Sequence, residues 1–284
     1  MTTDPTILDG GNIVRVFPRR TKATPNDDRA FVGTPPLGLA PVDVQEVHVS
    51  VTFTWDKHEA ERLVREWQFI YPEATVRIGG PAYGDPGGEF VPGLYMKPGY
   101  VFTSRGCPNH CDKCKVPLRE GPLRLLPVRD GYNVVDNNLL ACPREHLEAV
   151  FAMLRRQPER PRFPGGLEAA RFTQEIAVEM LKLKPAVLFF AYDRPEEQAA
   201  VDRAFSLIYD LTGWSAGTFR NRVSCYVLCG YDGDTIEAAE ARIAWLIRRG
   251  ARAYPMYFRD DDYRGMAPDW HDLIGGIMAF GGKR

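Results

Sequence analysis

The residues with the clearest chemical capacity are three cysteines in the segment SRGCPNHCDKCKVP. Cys107, Cys111 and Cys114 follow the spacing C-x3-C-x2-C, and no fourth cysteine stands in this segment. Such close spacing on a loop lets three thiolates face one centre. A structural zinc site takes four protein ligands, whereas an iron–sulfur cube held by three thiolates keeps one iron open for another ligand. The spacing therefore predicts a metal centre of one of these two kinds.

Zinc is the alternative that the cysteines themselves leave open. His110 lies inside the segment and Cys142 follows later in the chain, so either side chain is a candidate fourth ligand for a tetrahedral ion. The simplest interpretation is that the three cysteines are unconnected structural thiols, but their close spacing does not favour this interpretation.

The composition is that of an ordinary globular protein. The chain has 284 residues, of which 44% are hydrophobic and 26% charged, and its formal net charge is −1. This length predicts one large domain, with or without a small appendage, and this charge predicts no broad positive field for nucleic acid. One short basic run is typical of a solvated helix end and loop. It consists of Arg155, Arg156, Arg160 and Arg162.

Cysteine usage and hydropathy predict a cytoplasmic location. Six cysteines, three of them clustered, fit reduced thiols or metal ligands better than a disulfide framework. No apolar run approaches the length of a membrane span, and the N-terminus lacks the apolar core of a signal peptide. We therefore expect a cytoplasmic protein that does not contact a membrane, and the oligomeric state is left open.

The N-terminal part of the chain predicts an arm followed by a small unit. Residues 1–40 are rich in Pro, Thr and charge, which predicts an extended arm. Within residues 41–94, the β-branched run EVHVSVTFTW predicts a strand, DKHEAERLVREWQFIY has helical apolar spacing, and ATVRIGG predicts a second strand. This is one βαβ unit, in which Asp56 is placed to cap the helix.

Residues 95–260 alternate six predicted strands with helices, and residues 261–284 form a C-terminal extension. The alternation predicts a parallel sheet with right-handed crossovers. Six repeats are too few for a closed eight-fold barrel, so the predicted fold is α/β, an incomplete (β/α)6 TIM-type barrel with a small N-terminal βαβ unit. Ligands of such sheets bind at the carboxyl ends of the strands. The predicted strands are YVFTS, YNVVDNN, RFPGG, AVLFFAY, RVSCYVL and RAYPMYF.

The segment TSRGCPNHCDKC, following a strand at the head of an incomplete barrel, resembles the cluster motif of the radical SAM superfamily. The resemblance covers roughly residues 95–260. It implies a 4Fe–4S cluster held by Cys107, Cys111 and Cys114, whose open iron binds S-adenosylmethionine. It also implies reductive cleavage of that molecule by an electron from a flavodoxin- or ferredoxin-type donor. The resulting 5′-deoxyadenosyl radical then abstracts hydrogen from a substrate.

The same resemblance implies further cofactor contacts. The polar stretch Asp136, Asn137 and Asn138 stands where family members bind the methionine amino group, and a polar turn is the alternative. Glu168 and Arg171 follow the third strand, where an ion pair at the surface is equally compatible with the sequence. Two further positions match the segment that packs on adenine, and one position departs from the family pattern. The matching residues are Leu228 and Gly230, and the departure is Lys113, where an aromatic residue is usual.

The N-terminal βαβ unit resembles a shortened cobalamin-binding domain. Asp56 and His58 partly match the cobalamin ligand motif Asp-x-His-x-x-Gly, but the glycine is absent and the unit is short. We therefore expect no cobalamin, and we interpret His58 as a residue of the first helical turn.

Candidate catalytic residues stand at or near the ends of the later predicted strands. Tyr192 and Asp193 follow AVLFFA, and Cys229 ends the fifth strand on the same face as Cys225. Free cysteines are commonly buried, which is the expectation for Cys225, whereas Cys229 is a candidate hydrogen donor. Two further candidates for substrate contact are Tyr257 and Arg259.

The substrate is the least determined property. The opening arm, the short βαβ unit and the short C-terminus resemble compact radical SAM proteins of phages and prophages, which would place the enzyme in the host cytoplasm. Some of these modify DNA, which suggests rearrangement of an amino-acid adduct on thymine by an isomerase. The alternatives are a small metabolite or peptide substrate, or, in a different class, a zinc-stabilised binding protein.

Overall fold

The computed structural model describes residues 12–34, 41–85, 89–259 and 265–281. The chain divides into two compact units. The first comprises Met1–Tyr100 with Lys115–Pro122, and the second comprises Val101–Cys114 with Leu123–Arg284. Among the described residues, no helix is both long and apolar enough to cross a bilayer.

The first unit contains a four-stranded sheet of order β2-β1-β3-β4, in which every strand pair is parallel. Helix α1, Lys57–Ile70, connects β3 to β4. Alternate residues of β1 and β3, such as Val14 and Val47, are buried in one core with Leu63 and Trp67 of α1. The predicted βαβ unit is therefore present. The strands are β1 Ile13–Phe17, β2 Ala30–Val32, β3 Glu46–Ser50 and β4 Thr75–Gly79.

Two local predictions for this unit need correction. Residues 12–34 are not an extended arm, because they supply β1 and β2 to the sheet, while residues 1–11 and 35–40 of the predicted arm lie outside the described residues. Asp56 occupies the N-cap position of α1 but makes no capping hydrogen bond. Its carboxylate instead accepts a hydrogen bond from Arg19 Nε at 2.7 Å, because a guanidinium is a stronger donor than a backbone amide.

The second unit contains a six-stranded sheet of order β12-β11-β10-β9-β8-β5. Its strands are neighbours in the order in which they occur along the chain, and the four pairs from β8 to β12 are parallel. All six predicted strands are confirmed, as is the α/β class. They are β5 Tyr100–Val101, β8 Asn133–Val134, β9 Arg162–Leu167, β10 Val187–Ala191, β11 Val223–Cys229 and β12 Arg252–Tyr257.

Helices fill the connections, and four of them were predicted from apolar spacing. The antiparallel pair β6 Ser104–Arg105 and β7 Arg124–Leu125 was not predicted, and neither were three helices. These elements are short or lack a long periodic pattern. The predicted helices are α3 Arg144–Arg156, α4 Gln174–Lys182, α5 Gln198–Thr212 and α7 Ile236–Arg248. The missed helices are α2 Val116–Glu120, α6 Ala216–Arg222 and α8 Pro268–Gly281.

The two faces of this sheet differ. One face is covered by helices: Phe190 packs edge-to-face on Phe205 of α5 with ring centroids 5.9 Å apart, and Phe205 contacts Trp245 of α7. The residues that alternate with this buried set point to the opposite face. There Tyr226 and Tyr254 are partly exposed. The side chains of that face are thus less completely buried by the described helices than those of the first face.

Candidate metal centre

The three clustered cysteines lie on a loop directly after β6. Gly106, with a φ of 75°, turns the chain into the loop. Inside it, the backbone N–H of Cys114 donates to the Cys111 carbonyl at 3.0 Å, and the N–H of Asn109 lies 3.5 Å from Cys107 Sγ. Cys111 is exposed, whereas Cys107 and Cys114 are half-buried. The thiols are thus accessible from one side of a short turn.

The thiols of this loop influence one another. Partial burial raises the pKa of Cys111, and the neighbouring Cys114 and Cys107 raise it further, while Arg194 lowers it. In the parts of the chain that the structure describes, no three His, Cys, Asp or Glu side chains are arranged as a ready-made metal site. The metal centre therefore remains a prediction. The side chains around Cys107 indicate which ligand such a centre could take.

The alternative fourth zinc ligands lie in contrasting environments. His110 is exposed on the loop. Cys142 is only 6% exposed, and burial raises the pKa of its thiol to about 11, with Ser104 as a hydrogen-bonding neighbour. Cys142 therefore behaves as a buried thiol of the unit's interior.

Asp136 anchors the chain just before the cysteine loop. Its Oδ1 accepts a hydrogen bond from the Thr103 backbone N–H at 2.7 Å, and its Oδ2 accepts from the hydroxyls of Thr103 at 2.6 Å and Ser104 at 2.7 Å. Asp136 is 1% exposed. The sequence analysis placed it on the cofactor amino group, but both oxygens are already engaged inside the protein. The structure gives Asp136 a positioning role instead.

Asn137 has a similar structural role. Its side-chain Oδ1 accepts a hydrogen bond from the Gly106 backbone N–H at 3.2 Å. Both residues after β8 therefore hold the entry to the cysteine loop, rather than facing an open site.

Asn138 is the predicted cofactor residue that reaches the cysteines. Its Nδ2 donates to Glu168 Oε2 at 2.6 Å and lies 3.5 Å from Cys107 Sγ. Because Glu168 Oε2 accepts this bond, the amide orientation is set and Oδ1 points elsewhere. Oδ1 is buried and has no hydrogen-bond partner among the residues that the structure describes, and Asn138 is 5% exposed. A buried acceptor without a donor is costly, so this amide oxygen fits a ligand that brings an N–H or O–H group.

Glu168 gathers donors from three parts of the chain on one oxygen. Its Oε2 accepts hydrogen bonds from Asn138 Nδ2, from Asn109 Nδ2 at 3.0 Å and from Arg171 Nε at 2.8 Å. Among the described residues, the hydrogen bonds of its carboxylate all fall on Oε2, and the side chain is 25% exposed. The carboxylate therefore ties the cysteine loop to the end of β9 and keeps Oε1 available for a cationic group. Arg171 is 42% exposed, so its outer nitrogens are also accessible.

The segment after β11 is organised by Asp193 and Asp234. The Asp193 carboxylate accepts from the Leu228 N–H at 2.7 Å, and the Asp234 carboxylate accepts from the Gly230 N–H at 3.0 Å. Gly230 has a φ of 74°, and a Cβ at this position would overlap the Tyr257 ring, so only glycine fits. Burial raises the pKa of Asp193 to about 6. Leu228 and Gly230 are thus held by side chains at the carboxyl edge of the sheet.

Two predicted catalytic residues do not reach this edge. Cys229 is fully buried, its Sγ donates to the Val227 carbonyl at 3.3 Å, and burial raises the pKa of the thiol to about 12. Tyr192 is 2% exposed, donates to Gln198 Oε1 at 2.8 Å and packs on Trp245. In the structure both side chains pack on the side of the sheet that the helices cover, which does not favour a catalytic role, and that role stays untested.

The structure also identifies residues that the sequence analysis missed. Asn109 contacts Glu168, and Arg194 approaches Asp112 of the cysteine loop with an N–O distance of 3.9 Å. Asn109 could have been identified from the sequence, because it lies inside the cysteine motif. Arg194 could not, because its proximity to the loop depends on how β10 lies beside the other strands.

We predict that Asp136 makes the protein less stable as the pH rises. Burial is the largest cause that raises its pKa, from the ordinary 3.8 to about 6, so the folded protein binds a proton here that the unfolded chain releases. Stability must then fall between pH 4 and 6 and stay lower above it, by about 2 kcal/mol from pH 4.5 to 7.5. Asp136→Asn should remove this part of the pH dependence, as measured by urea unfolding at both pH values.

The control for this experiment is Asp130→Asn, because Asp130 is 75% exposed. An Asp136→Asn variant whose pH dependence equals that of the unmodified chain would show that the buried carboxylate is not responsible. Asp193 has a similarly raised pKa and should leave a residual slope in both proteins.

The chain matches no protein-family model, and a search of curated proteins finds no match to it. The interpretation of this site therefore depends on its own residues and contacts.

Proposed function

We propose that the chain is a radical SAM enzyme. The observation that carries the proposal is the arrangement around Cys107. The C-x3-C-x2-C loop follows β5 and β6, and Asn138, whose Nδ2 lies 3.5 Å from Cys107 Sγ, has a buried Oδ1 with no hydrogen-bond partner among the described residues. A loop that binds a metal next to a buried acceptor without a donor is suited to a metal that also coordinates a small polar cofactor.

We also propose that the six-stranded sheet is an incomplete (β/α)6 barrel. Its strands follow one another in chain order, with β5 and β12 at the two edges. A helix connects each pair from β8 to β12, as in barrel repeats. In such a barrel the carboxyl ends of the strands form the active-site face, which is where Glu168 and Gly230 stand.

In this proposal, Cys107, Cys111 and Cys114 would hold a 4Fe–4S cluster, and the cluster would supply the electron for cleavage of S-adenosylmethionine. The cofactor's ammonium group would donate to Asn138 Oδ1 and pair with Glu168 Oε1, while its carboxylate would accept from the outer nitrogens of Arg171. Adenine would pack on the backbone at Leu228 and Gly230. Asp136 and Asn137 would keep the loop in place through Thr103, Ser104 and Gly106, as they do in the structure. A flavodoxin- or ferredoxin-type protein would supply the electron.

The alternative is a zinc-stabilised binding protein that uses the same cysteines. Reconstitution with iron and sulfide without oxygen separates the two proposals. The radical SAM proposal expects a brown protein with broad visible absorption that forms 5′-deoxyadenosine when reduced with S-adenosylmethionine. A colourless protein that binds one zinc ion tightly and forms no 5′-deoxyadenosine would overturn it.

We predict that Asn138→Ala weakens binding of S-adenosylmethionine about 10- to 100-fold. A hydrogen bond to a charged group contributes about 1.5–3 kcal/mol, and Asn138 Oδ1 is a buried acceptor without a donor among the described residues. The measurement is a dissociation constant by equilibrium dialysis on reconstituted protein, with iron content determined in the same samples.

The matched control is Asn133→Ala. Asn133 is also a buried asparagine and lies in β8, the strand that precedes Asn138. Equal affinities of the Asn138→Ala variant and the unmodified protein, at equal iron content, would contradict the assignment of Asn138.

We further propose that the substrate is a nucleobase bearing an amino-acid-like group in phage DNA, and that the enzyme rearranges this group. What supports a planar substrate is the uncovered sheet face. There Tyr226 stacks on Phe189 with ring centroids 4.6 Å apart and meets Tyr254 edge-on at 5.6 Å, and Tyr254 is 37% exposed. Stacking on aromatic rings binds a base with about 1–3 kcal/mol.

DNA contact through the basic run would be weak. Arg155 pairs with Glu179 at 2.8 Å, and Arg160 donates to the carbonyls of Lys184 and Pro185. Fewer phosphate contacts are therefore available than the sequence suggests. The test is anaerobic incubation with pre-modified DNA and with free nucleosides. Turnover of free nucleosides or of a small metabolite or peptide, without binding or alteration of DNA, would exclude the DNA substrate and leave the enzyme class intact.

A further inference from the structure

The face of the first unit's sheet that points away from α1 carries a row of basic side chains. In the strand register, Arg15 of β1 pairs with His48 of β3, and His48 pairs with Arg77 of β4. The intervening residues of the same strands, such as Val14 and Val47, are buried in the core against α1. Side chains alternate along a strand, so the polar row must face the other way. It is independent of the cysteine loop and of the proposed function.

A continuous hydrogen-bond chain crosses this face. His48 Nδ1 lies 2.6 Å from the Tyr95 hydroxyl, and His48 Nε2 lies 2.7 Å from Glu46 Oε2. The imidazole side chain is 16% exposed, while Tyr95 is 40% exposed. A phenol accessible to solvent is thus connected to a carboxylate through one nearly buried histidine.

The direction of each proton follows from the carboxylate. The hydrogen bond from His48 is the largest cause that lowers the pKa of Glu46, so this carboxylate is ionised at neutral pH and can only accept. His48 Nε2 must then carry the hydrogen, which leaves the Nδ1 lone pair to accept from the Tyr95 hydroxyl. Arg77 Nε donates to Glu46 Oε2 at 2.9 Å and helps to hold it in place.

Tyr95, His48 and Glu46 are arranged as a nucleophile, a base and a carboxylate that orients the base. The criterion is a nucleophile and a base within about 2.6–3.2 Å, with the base oriented by a third group. Burial is the largest cause that raises the pKa of Tyr95, so the phenol keeps its proton at rest. A base that removes the proton only during attack is what such a hydroxyl requires.

The loop that carries Tyr95 is held firmly enough to keep this geometry. Arg15 Nη1 donates to the carbonyls of Gly93 at 3.2 Å and Leu94 at 3.0 Å, and Arg15 also pairs with Asp27. The Arg15 side chain is 8% exposed, so these bonds are shielded from water.

The charges around Tyr95 are balanced. Arg15 and Arg77 lower its pKa, while Asp85 and Glu46 raise it. Among the described residues, the charged groups that influence Tyr95 are two positive and two negative, so they do not favour a phosphate or a carboxylate. An uncharged electrophile fits this environment better.

We propose that Tyr95, His48 and Glu46 form a site that accepts an acyl group from an uncharged ester. In the step, a bond forms between Tyr95 Oη and the acyl carbon, and the bond from that carbon to the leaving alcohol breaks. The Tyr95 proton passes to His48 Nδ1 and from there to the departing alkoxide. The products are O-acyl-Tyr95 and the free alcohol, and no electron is transferred to or from the protein.

The test uses the full chain and p-nitrophenyl acetate, with acetylated tyrosines mapped by mass spectrometry over time. Tyr83 is the matched control, since it belongs to the same unit, is 36% exposed and has the Lys57 ammonium, not an imidazole, beside its ring. General-base assistance contributes about 100-fold or more, so Tyr95 should be acetylated about 100 times faster than Tyr83. Tyr95→Phe should lose this fast acetylation.

Two variants separate a reactive site from a hydrogen bond that only fastens the loop. His48→Gln should bring the Tyr95 rate down to that of Tyr83, and Glu46→Gln should lower it by at least about 10-fold, with thermal unfolding measured to show that each variant is folded. If Tyr95 and Tyr83 react at equal rates in the unmodified protein, or if folded His48→Gln or Glu46→Gln protein keeps the fast rate, the proposal is overturned.

Discussion

Replacing Cys111 by Ala is expected to abolish both cluster assembly and formation of 5′-deoxyadenosine. Three thiolates are the minimum that holds an iron–sulfur cube with one open iron, so two leave the cluster without sufficient ligands. Cys111 is the middle cysteine of the motif, and the neighbouring Cys114 and Cys107 both raise the pKa of its thiol. Iron and sulfide content, visible absorption and 5′-deoxyadenosine are measured after anaerobic reconstitution of each variant. Cys107→Ala and Cys114→Ala should give the same result.

The control for the cysteine variants is Cys142→Ala. Cys142 is buried beside Ser104 and its thiol has a pKa raised to about 11, so it should contribute nothing to metal binding. The Cys142→Ala protein should keep its full iron content. Full turnover in Cys111→Ala would disprove the assignment of the cluster ligands, and stoichiometric loss of iron in Cys142→Ala would identify a fourth ligand and exclude an open iron.

Replacing Arg242 by Ala is expected to lower the free energy of unfolding by about 3–5 kcal/mol. Arg242 and Asp234 form an ion pair whose side chains are 3% and 1% exposed, with an N–O distance of 3.1 Å. Arg242 Nη2 also donates to the Leu228 carbonyl at 3.1 Å, and Asp234 accepts from the Gly230 N–H. Removing the guanidinium leaves a buried carboxylate without its counter-charge and frees the segment after β11. Urea unfolding of the unmodified and variant chains measures the loss.

The matched control is Arg249→Ala at the end of the same helix. Arg249 pairs with Asp202 at 2.6 Å, but the two side chains are 33% and 49% exposed. An exposed pair contributes about 0–1 kcal/mol because water screens the charges. Equal losses for Arg242→Ala and Arg249→Ala would contradict the idea that burial makes the first pair important. A further consequence is that Arg242→Ala should weaken cofactor binding, since Leu228 and Gly230 lose their support.

Most of the second unit's fold could be predicted from the sequence. The β-branched and aromatic runs at β9 to β12 alternate with helical periods, and both signals are local properties of consecutive residues. The N-terminal strands were harder to predict. β1 and β2 are short and lie among prolines and charges, and their pairing depends on the tertiary structure, in which β3 pairs with β1 and β1 pairs with β2.

Side-chain roles depended on contacts that no local pattern contains. Asp56 is in a capping position but pairs with Arg19, and Asp136 is in a cofactor-binding position but anchors Thr103 and Ser104. Even spacing along β11 placed Cys225 and Cys229 on one face, and both are buried. Spacing cannot say which of the two faces the helices cover, so it could not show that Cys229, the candidate hydrogen donor, is buried.

The sequence by itself determined the cysteine loop, its place after the first strand of the second unit and the α/β class, since each depends on residue types and spacings within a short stretch. Only the tertiary structure decided which polar residues reach that loop. It brought Asn138 to Cys107 and to Glu168, bound Asp136 to Thr103 and Ser104, and joined Tyr95 to His48. Each of these contacts joins residues about 30 or more positions apart in the chain, so no local sequence pattern contains it.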